Sequence, residues 1–453
     1  MKEQHDPYAA LRYSGYRRFL AGNFLSNIGR QGLSVAVAWQ VYQWTNSATA
    51  LGLVGLANVV PLIALVLPAG ALADRFDRRL LVQRSAAVSA LLSLALAATA
   101  YFHESVPSLA LLQHANDLLH RVALVFERHA DAASLHFDHP ALPVVYLILF
   151  CQSVVRVLAG PSRAALVPLL IPPPALSNAV NWSSSTFELA TVAGPALGGL
   201  IVAFWGAPAV YALDVFTSLS LALLLVGVKL VTPPADGQRP ALGMLAGVQF
   251  MWRNQTVLAA MSLDLFAVIL GGATALLPIY ADQILHVGPA GLGWLRAAPS
   301  AGAICMALFT AHRPSARRPG LLMLWSVAGF GAALTLFSYS TVLWLSLAAL
   351  FLSGVFDNYS VVVRHSLVQL MTPDALRGRV TAVNQLFIGS SNEISALRAG
   401  LSAALFGPVA AAGVGGILTL AVPAIIALLA PSLKHVPPLH EIAPESEEDD
   451  RPL

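Results

Sequence analysis

"GALADRFDRRLL", Gly70–Leu81, sets Asp74, Arg75, Asp77, Arg78 and Arg79 within six residues, between two stretches that are almost wholly apolar. Each flanking stretch is longer than the roughly 20 residues an α-helix needs to cross about 30 Å of hydrocarbon. Charges so dense have to reach water, so the segment reads as a tight turn joining two membrane crossings. The rest of the chain extends that reading: its 453 residues are 57% hydrophobic and only 11% charged, where soluble domains carry roughly a quarter. The fold class that follows is an all-α membrane protein.

Apolar runs bounded by charges or by Gly and Pro predict twelve transmembrane helices, at 18–43, 51–73, 80–102, 143–163, 182–204, 208–230, 257–281, 289–311, 320–338, 341–364, 381–405 and 409–431. An even number places both termini on one side. Sorting the 26 Lys and Arg residues over these spans tests the pattern. Apart from Arg121 and Arg128, and five that fall inside spans, all lie in the termini and in the connections of a single face. Basic residues collect on the cytoplasmic side, which puts both termini in the cytoplasm. The basic N-terminus precedes an apolar run that is too long for a signal peptide and lacks its cleavage site, so a retained first span is expected. Cys151 and Cys305 sit in different spans, and neither a disulfide nor a zinc or redox pair is expected.

An internal repeat divides the chain. "RAALVPLLIPPPALSNAVN" from Arg163 and "RHSLVQLMTPDALRGRVTAVN" from Arg364 share R-x-x-L-V-x-L, a Pro-x-Ala-Leu step and Ala-Val-Asn. Both pass from the fourth to the fifth span of a six-span half, and paired six-span halves are an architecture of secondary transporters. The expected organisation is an N-terminal half over 1–230 with an extracytoplasmic insert at 103–142, a linker over 231–256, a C-terminal half over 257–431 and a cytoplasmic tail over 432–453.

The charged turn resembles the signature of the major facilitator superfamily, Gly-x-x-x-Asp-Arg-x-Gly-Arg-Arg. Gly70, Asp74, Arg75, Arg78 and Arg79 match it, and Asp77 stands where that family usually has Gly. The resemblance implies a gating turn that latches the two halves on the cytoplasmic side, with Asp74 and Arg78 taking part. In span five, "GPALGG" (Gly194, Pro195, Gly198 and Gly199 among its residues) is what close helix packing needs. Its position also resembles the family's antiporter motif, which implies export in exchange for protons. Longer segments, Leu263–Ala303 and Asp357–Ile394, and the "ALDVFTS" of span six look like the enterobactin (siderophore) exporter branch. The activity implied is proton-driven export of a siderophore or a similar bulky, partly aromatic compound, by rocking of two halves.

Ionisable side chains at mid-membrane cost about 2.5–3.5 kcal/mol on insertion scales, so each needs a partner or a watered cavity. Arg30, Arg156, Asp264 and Asp357 fall in spans one, four, seven and ten, which the resemblance implies line the central cavity; they are the expected substrate and proton pathway. Asp264 or Asp357 is the expected proton carrier, because a carboxylate can change charge where an arginine cannot. Glu188, Asp214, Arg296, Glu393 and Arg398 are further intramembrane charges, and Arg364 falls near the inner end of span ten. Structural pairing competes with a transport role for each of them. Trp39, Tyr42, Trp294 and Tyr359 could stack on aromatic rings, although Trp and Tyr also favour membrane interfaces.

The insert has apolar residues at helical spacing, predicting an amphipathic helix on the membrane or against the mouth. His103, His114, His120, His129, His136 and His139 crowd there, yet without a repeated ligand spacing no metal is expected, and no cofactor either. The superfamily's drug or macrolide efflux pumps are the competing reading. A membrane-embedded enzyme would need a constellation such as H-E-x-x-H, which is absent, so enzyme activity is not expected. The partners expected are a small-molecule substrate, protons and the bilayer of a bacterial inner membrane, with no nucleic acid, and the working state expected is a monomer.

Overall fold

The computed structural model describes residues 6, 8–103, 110–127, 137, 139–231, 244–312, 318–438 and 441. The described residues form helices and no strand. In chain order these are α1 (Ser14–Thr45), α2 (Ala48–Arg75), α3 (Arg78–Tyr101), α4 (Ala110–Phe126), α5 (Leu142–Leu170), α6 (Leu176–Trp205), α7 (Ala207–Leu224), α8 (Met244–Arg253), α9 (Gln255–Gly271) and α10 (Leu277–Ile279). They continue as α11 (Gly288–Ala311), α12 (Pro319–Ser338), α13 (Leu343–Met371), α14 (Asp374–Phe406) and α15 (Pro408–Leu429). Among the described residues, ten helical segments are long and apolar enough to cross a membrane. Helices α1 and α14 are as long as any, but carry Arg17, Arg18 and Arg30, and Arg379, Glu393 and Arg398, along their length. The two repeat copies each straddle the end of one long helix and the start of the next, α5 to α6 and α13 to α14.

Among the described residues, span seven is an expected single helix that is broken. Helix α9 stops at Gly271, a 3-10 turn covers Thr274–Leu276, and Tyr280–Ile284 is a π turn. A break inside a membrane strands backbone carbonyls that must find other donors. Ser395 Oγ donates to the Val268 carbonyl at 2.7 Å, and Thr419 Oγ1 bridges the Ala267 and Gly415 carbonyls at 3.4 and 2.8 Å.

The chain divides into two compact units: Met1–Gly237 with Ala281–Ala297, and Gln238–Tyr280 with Ala298–Leu453. In the first, α1 packs along α6 and α7, α3 along α7, and α2 along α5. One end of its core gathers Val37, Val41, Leu96, Phe137 and Tyr211, the other Tyr16, Phe19, Leu166 and Leu221. Buried hydroxyls are placed to donate, Tyr211 Oη to Gln40 Oε1 and Tyr16 Oη to the Ala179 carbonyl, both at 2.6 Å. In the second unit, α12 packs on α13 and α15, and α9 on α14 and α15, around Leu263, Met323, Val327 and Leu367.

Candidate functional site

The second unit holds a buried ion pair. Arg364 Nη1 lies 2.7 Å from Asp264 Oδ2, with the two side chains 2% and 9% exposed. A guanidinium so enclosed is tolerated only against a matched anion, because desolvating either charge alone costs several kcal/mol. Asp357 lies seven residues before Arg364 on α13, two turns along the same helix face. It is half-buried and within electrostatic reach of both members of the pair, as is His365 of the Asp264–Arg364 contact. One proton or one anionic group entering here can therefore change which partner Arg364 holds.

The sequence places Arg364 near the inner end of span ten and does not say which acid it pairs with. The missed signal was depth. Asp264 is nine residues inside the start of α9 and Arg364 seven inside the end of α13, roughly 14 and 10 Å from the same membrane face at 1.5 Å per residue.

The first unit holds its charges differently. Asp214 on α7 is 4% exposed; its Oδ2 accepts from Ser93 Oγ of α3 at 2.6 Å, and Gln152 Nε2 of α5 donates onward to Ser93 Oγ at 3.0 Å. Arg30 is within electrostatic reach of Asp214 and donates to Asn27 Oδ1 at 2.9 Å. Arg156 is exposed and makes long contacts to Ser153 Oγ and Asn58 Oδ1, at 3.3 and 3.5 Å. The structure thus joins Arg30 to Asp214 and Asp357 to the Asp264 pair. Arg156 reaches Ser153 and Asn58.

Arg296 donates to Ser34 Oγ of α1 at 2.9 Å, and Glu188, Glu393 and Arg398 are half-buried. Of the aromatic residues, Tyr42 is buried whereas Trp294 is half exposed.

The charged turn is built by helix capping. Helix α2 ends at Arg75, and Asp77 accepts from the Leu80 N–H at 3.1 Å as the N-cap of α3. Its φ is −57°, so the position does not need glycine, and the Asp serves the turn as a cap. Arg79 Nη1 reaches the Val228 carbonyl at 2.6 Å and Arg78 Nε the Ala73 carbonyl at 3.4 Å. The Asp74 side chain lies outside the described residues. A Cβ added to Gly70 would meet nothing within 4 Å.

The glycines of "GPALGG" do the opposite. A Cβ on Gly198 would stand 2.6 Å from Gly32 Cα of α1, and one on Gly199 would stand 2.6 Å from Gly293 Cα of α11. Backbones this close leave no room for any side chain.

The insert forms α4, which is amphipathic as expected, and closes on the ends of α1 and α2. Glu127 Oε1 accepts from Ser47 Oγ at 2.6 Å and from the Thr49 N–H at 3.0 Å, capping α2. The His139 ring stacks on Trp44 at 4.0 Å, with His103 beside it at 5.2 Å. Burial, and then the neighbouring His103, push the His139 pKa down. Among the described residues no group of three or more His, Cys, Asp or Glu is arranged to hold a metal ion; His129, His136 and Asp138 lie outside them.

Three comparisons bear on this arrangement. A family model described as a transmembrane secretion effector matches residues 5–116 and 129–450. The chain belongs to the major facilitator superfamily. This transporter is 26% identical over 427 residues to the enterobactin exporter EntS of Escherichia coli K12, covering 93% of each chain, and equally similar to that of Shigella dysenteriae serotype 1. Among solved structures it resembles a bacterial homologue of the iron transporter ferroportin, with a TM-score of 0.63 at 15% identity over 94% of this chain and 99% of the other. It also resembles a D-xylose–proton symporter, with a TM-score of 0.64 at 13% identity over 94% and 100%. These likenesses establish the major facilitator fold. The protein is accordingly an integral membrane transporter of the bacterial inner membrane rather than an enzyme, and its cargo is a small molecule.

Proposed function

We propose that this transporter is a proton-coupled exporter of a siderophore or a similar bulky, partly aromatic small molecule, working by alternating access as a monomer with both termini in the cytoplasm. The observation that carries the proposal is the buried Asp264–Arg364 pair with Asp357 two turns away. A proton carrier needs a carboxylate whose charge is held only by a partner that can be released, and this cluster is built that way. The substrate class follows the likeness to proteins named enterobactin exporters over 93% of the chain.

Within this reading the chain crosses the membrane twelve times, α1 and α14 included, in two halves over 1–230 and 257–431. Arg30 and Arg156 contribute to the pathway from the first half, Asp264 and Asp357 from the second. The turn holding Gly70, Asp74, Arg75, Arg78 and Arg79 acts as the cytoplasmic latch, and Gly194, Pro195, Gly198 and Gly199 as the antiporter motif. The open space around Gly70 suits a turn that must meet different neighbours in different states.

The test is uptake into inside-out vesicles under an imposed pH gradient, with enterobactin and, separately, hydrophobic drugs as cargo. Gradient-dependent uptake of enterobactin, lost in Asp264→Asn or Asp357→Asn, is the expected result. Uptake of drugs alone would replace the substrate class with multidrug efflux, and uptake indifferent to the gradient would remove the proton.

A further inference from the structure

Where α1 begins and the chain leaves α7, the first unit encloses a cavity of about 360 Å³, lined by Tyr13, Gly15, Arg18, Val228, Lys229 and their neighbours. That volume lies within the range of roughly 300–1,000 Å³ typical of small-ligand sites. Two cations share it, Arg18 from the first turns of α1 and Lys229 from beyond α7, and among the described residues no carboxylate lines it. Both side chains are exposed, and among the described residues neither has an ion-pair partner. Like charges lining one cavity repel, and an anion seated between them would relieve that repulsion.

The wall of this cavity is built rather than loose. Gly227, at φ +68°, turns the chain back after α7. The Val228 carbonyl then accepts Arg79 Nη1 at 2.6 Å, and the Val231 N–H donates to the Leu169 carbonyl at 2.8 Å. Val228 itself is 3% exposed and lies against α1, where a Cβ on Gly15 would stand 3.1 Å from its Cγ1. The cavity therefore offers two exposed cations on a held backbone wall, beside apolar valine and tyrosine surface, at the membrane face that carries the chain's other arginine-rich turns.

We propose that this cavity binds the phosphodiester headgroup of an anionic phospholipid, with Arg18 and Lys229 on the phosphate and Val228, Val231 and Tyr13 against the glycerol and the first methylenes. A free phosphate offers the same charge, but it has no use for the apolar half of the lining. The Arg79 contact ties the same wall to the charged turn, so an occupant here bears on the segment that anchors the turn. The inference is independent of what the transporter carries.

The experiment is native mass spectrometry of the full chain in detergent, titrated with phosphatidylglycerol, with phosphatidylcholine, or with inorganic phosphate. Surface cations each strengthen binding to anionic lipid severalfold, so Arg18→Ala with Lys229→Ala should weaken phosphatidylglycerol binding by about tenfold or more. Arg17→Ala, adjacent in sequence and not a lining residue, should change it by less than about twofold. Ser14→Trp, which fills the cavity with both cations kept, should also weaken it. Equal retention in the double variant, or an equal loss in Arg17→Ala, would overturn the site in favour of a diffuse basic face. Displacement of the lipid by millimolar inorganic phosphate would overturn the lipid assignment in favour of a free anion.

Discussion

The two units solve one problem, a carboxylate buried among helices, in opposite ways. In the first, Asp214 is held by neutral donors, Ser93 directly and Gln152 through it, with Arg30 nearby. In the second, Asp264 is held by a full countercharge on a guanidinium 2% exposed. This relay of neutral donors runs over three helices, from α5 through α3 to α7, and among the described residues leaves the carboxylate with no full countercharge in direct contact. A direct pair concentrates the stabilisation in one contact, which a proton or an anion can switch. The first arrangement suits a scaffold and the second a moving part.

The comparison can be broken most sharply at Arg364. Arg364→Ala leaves Asp264 buried without a countercharge and is expected to destabilise the protein by about 3–5 kcal/mol, read as a fall in melting temperature in detergent. Asp264→Asn combined with Arg364→Gln should recover much of that loss, since neither charge then remains. A small effect of the single change would show that the pair is not what holds α9 to α13.

Next comes Asp214→Ala, expected to cost about 1–3 kcal/mol, because the Ser93 hydroxyl loses its acceptor in a buried setting. Vesicle transport should survive it in proportion to folded protein, whereas Asp264→Asn should lose transport beyond its loss of fold. Parallel losses in both would erase the distinction between scaffold and moving part.

The insert extends the contrast, since its described residues fasten onto α1, α2 and α5 of the first unit. Glu127→Ala removes the acceptor for Ser47 Oγ and the Thr49 N–H and should cost about 1 kcal/mol, as helix caps do. The accompanying gain in hydrogen exchange should be confined to the start of α2.

The smallest effect is that of pH on His139. Its pKa is pushed below the ordinary 6.5 by burial and by His103, so the unfolded chain takes up this proton before the folded one does. The stability it contributes is present above pH 6.5 and is lost as the pH falls through that value. Wild type should therefore lose more melting temperature between pH 7.5 and 5.5 than His139→Phe does. An identical slope in the two proteins would mean that the Trp44 stack does not keep the ring neutral.

Much of this was legible in the chain because hydrocarbon leaves few choices. Length, apolarity and the placement of Arg75, Arg78 and Arg79 determined the helical membrane class and the turn between α2 and α3, since charges and unpaired peptide groups cannot remain in lipid. The repeat and the long likeness to the siderophore exporter branch carried the family. Periodicity also marked α4 within the insert. What sequence could not show was which charges meet. Asp264 and Arg364 are about a hundred residues apart, as are Ser93 and Asp214, and their contacts depend on helix rotation, which hydropathy does not encode. Nor could it show that Asp77 caps α3 where the family signature has Gly, that Gly198 and Gly199 face different helices, or that span seven breaks at Gly271 with Ser395 and Thr419 covering its carbonyls. One-dimensional pattern determines which segments enter the membrane, because transfer energy is summed residue by residue. Pairing inside it is decided in three dimensions, because a buried charge or a freed carbonyl takes its energy from a partner brought close only by packing.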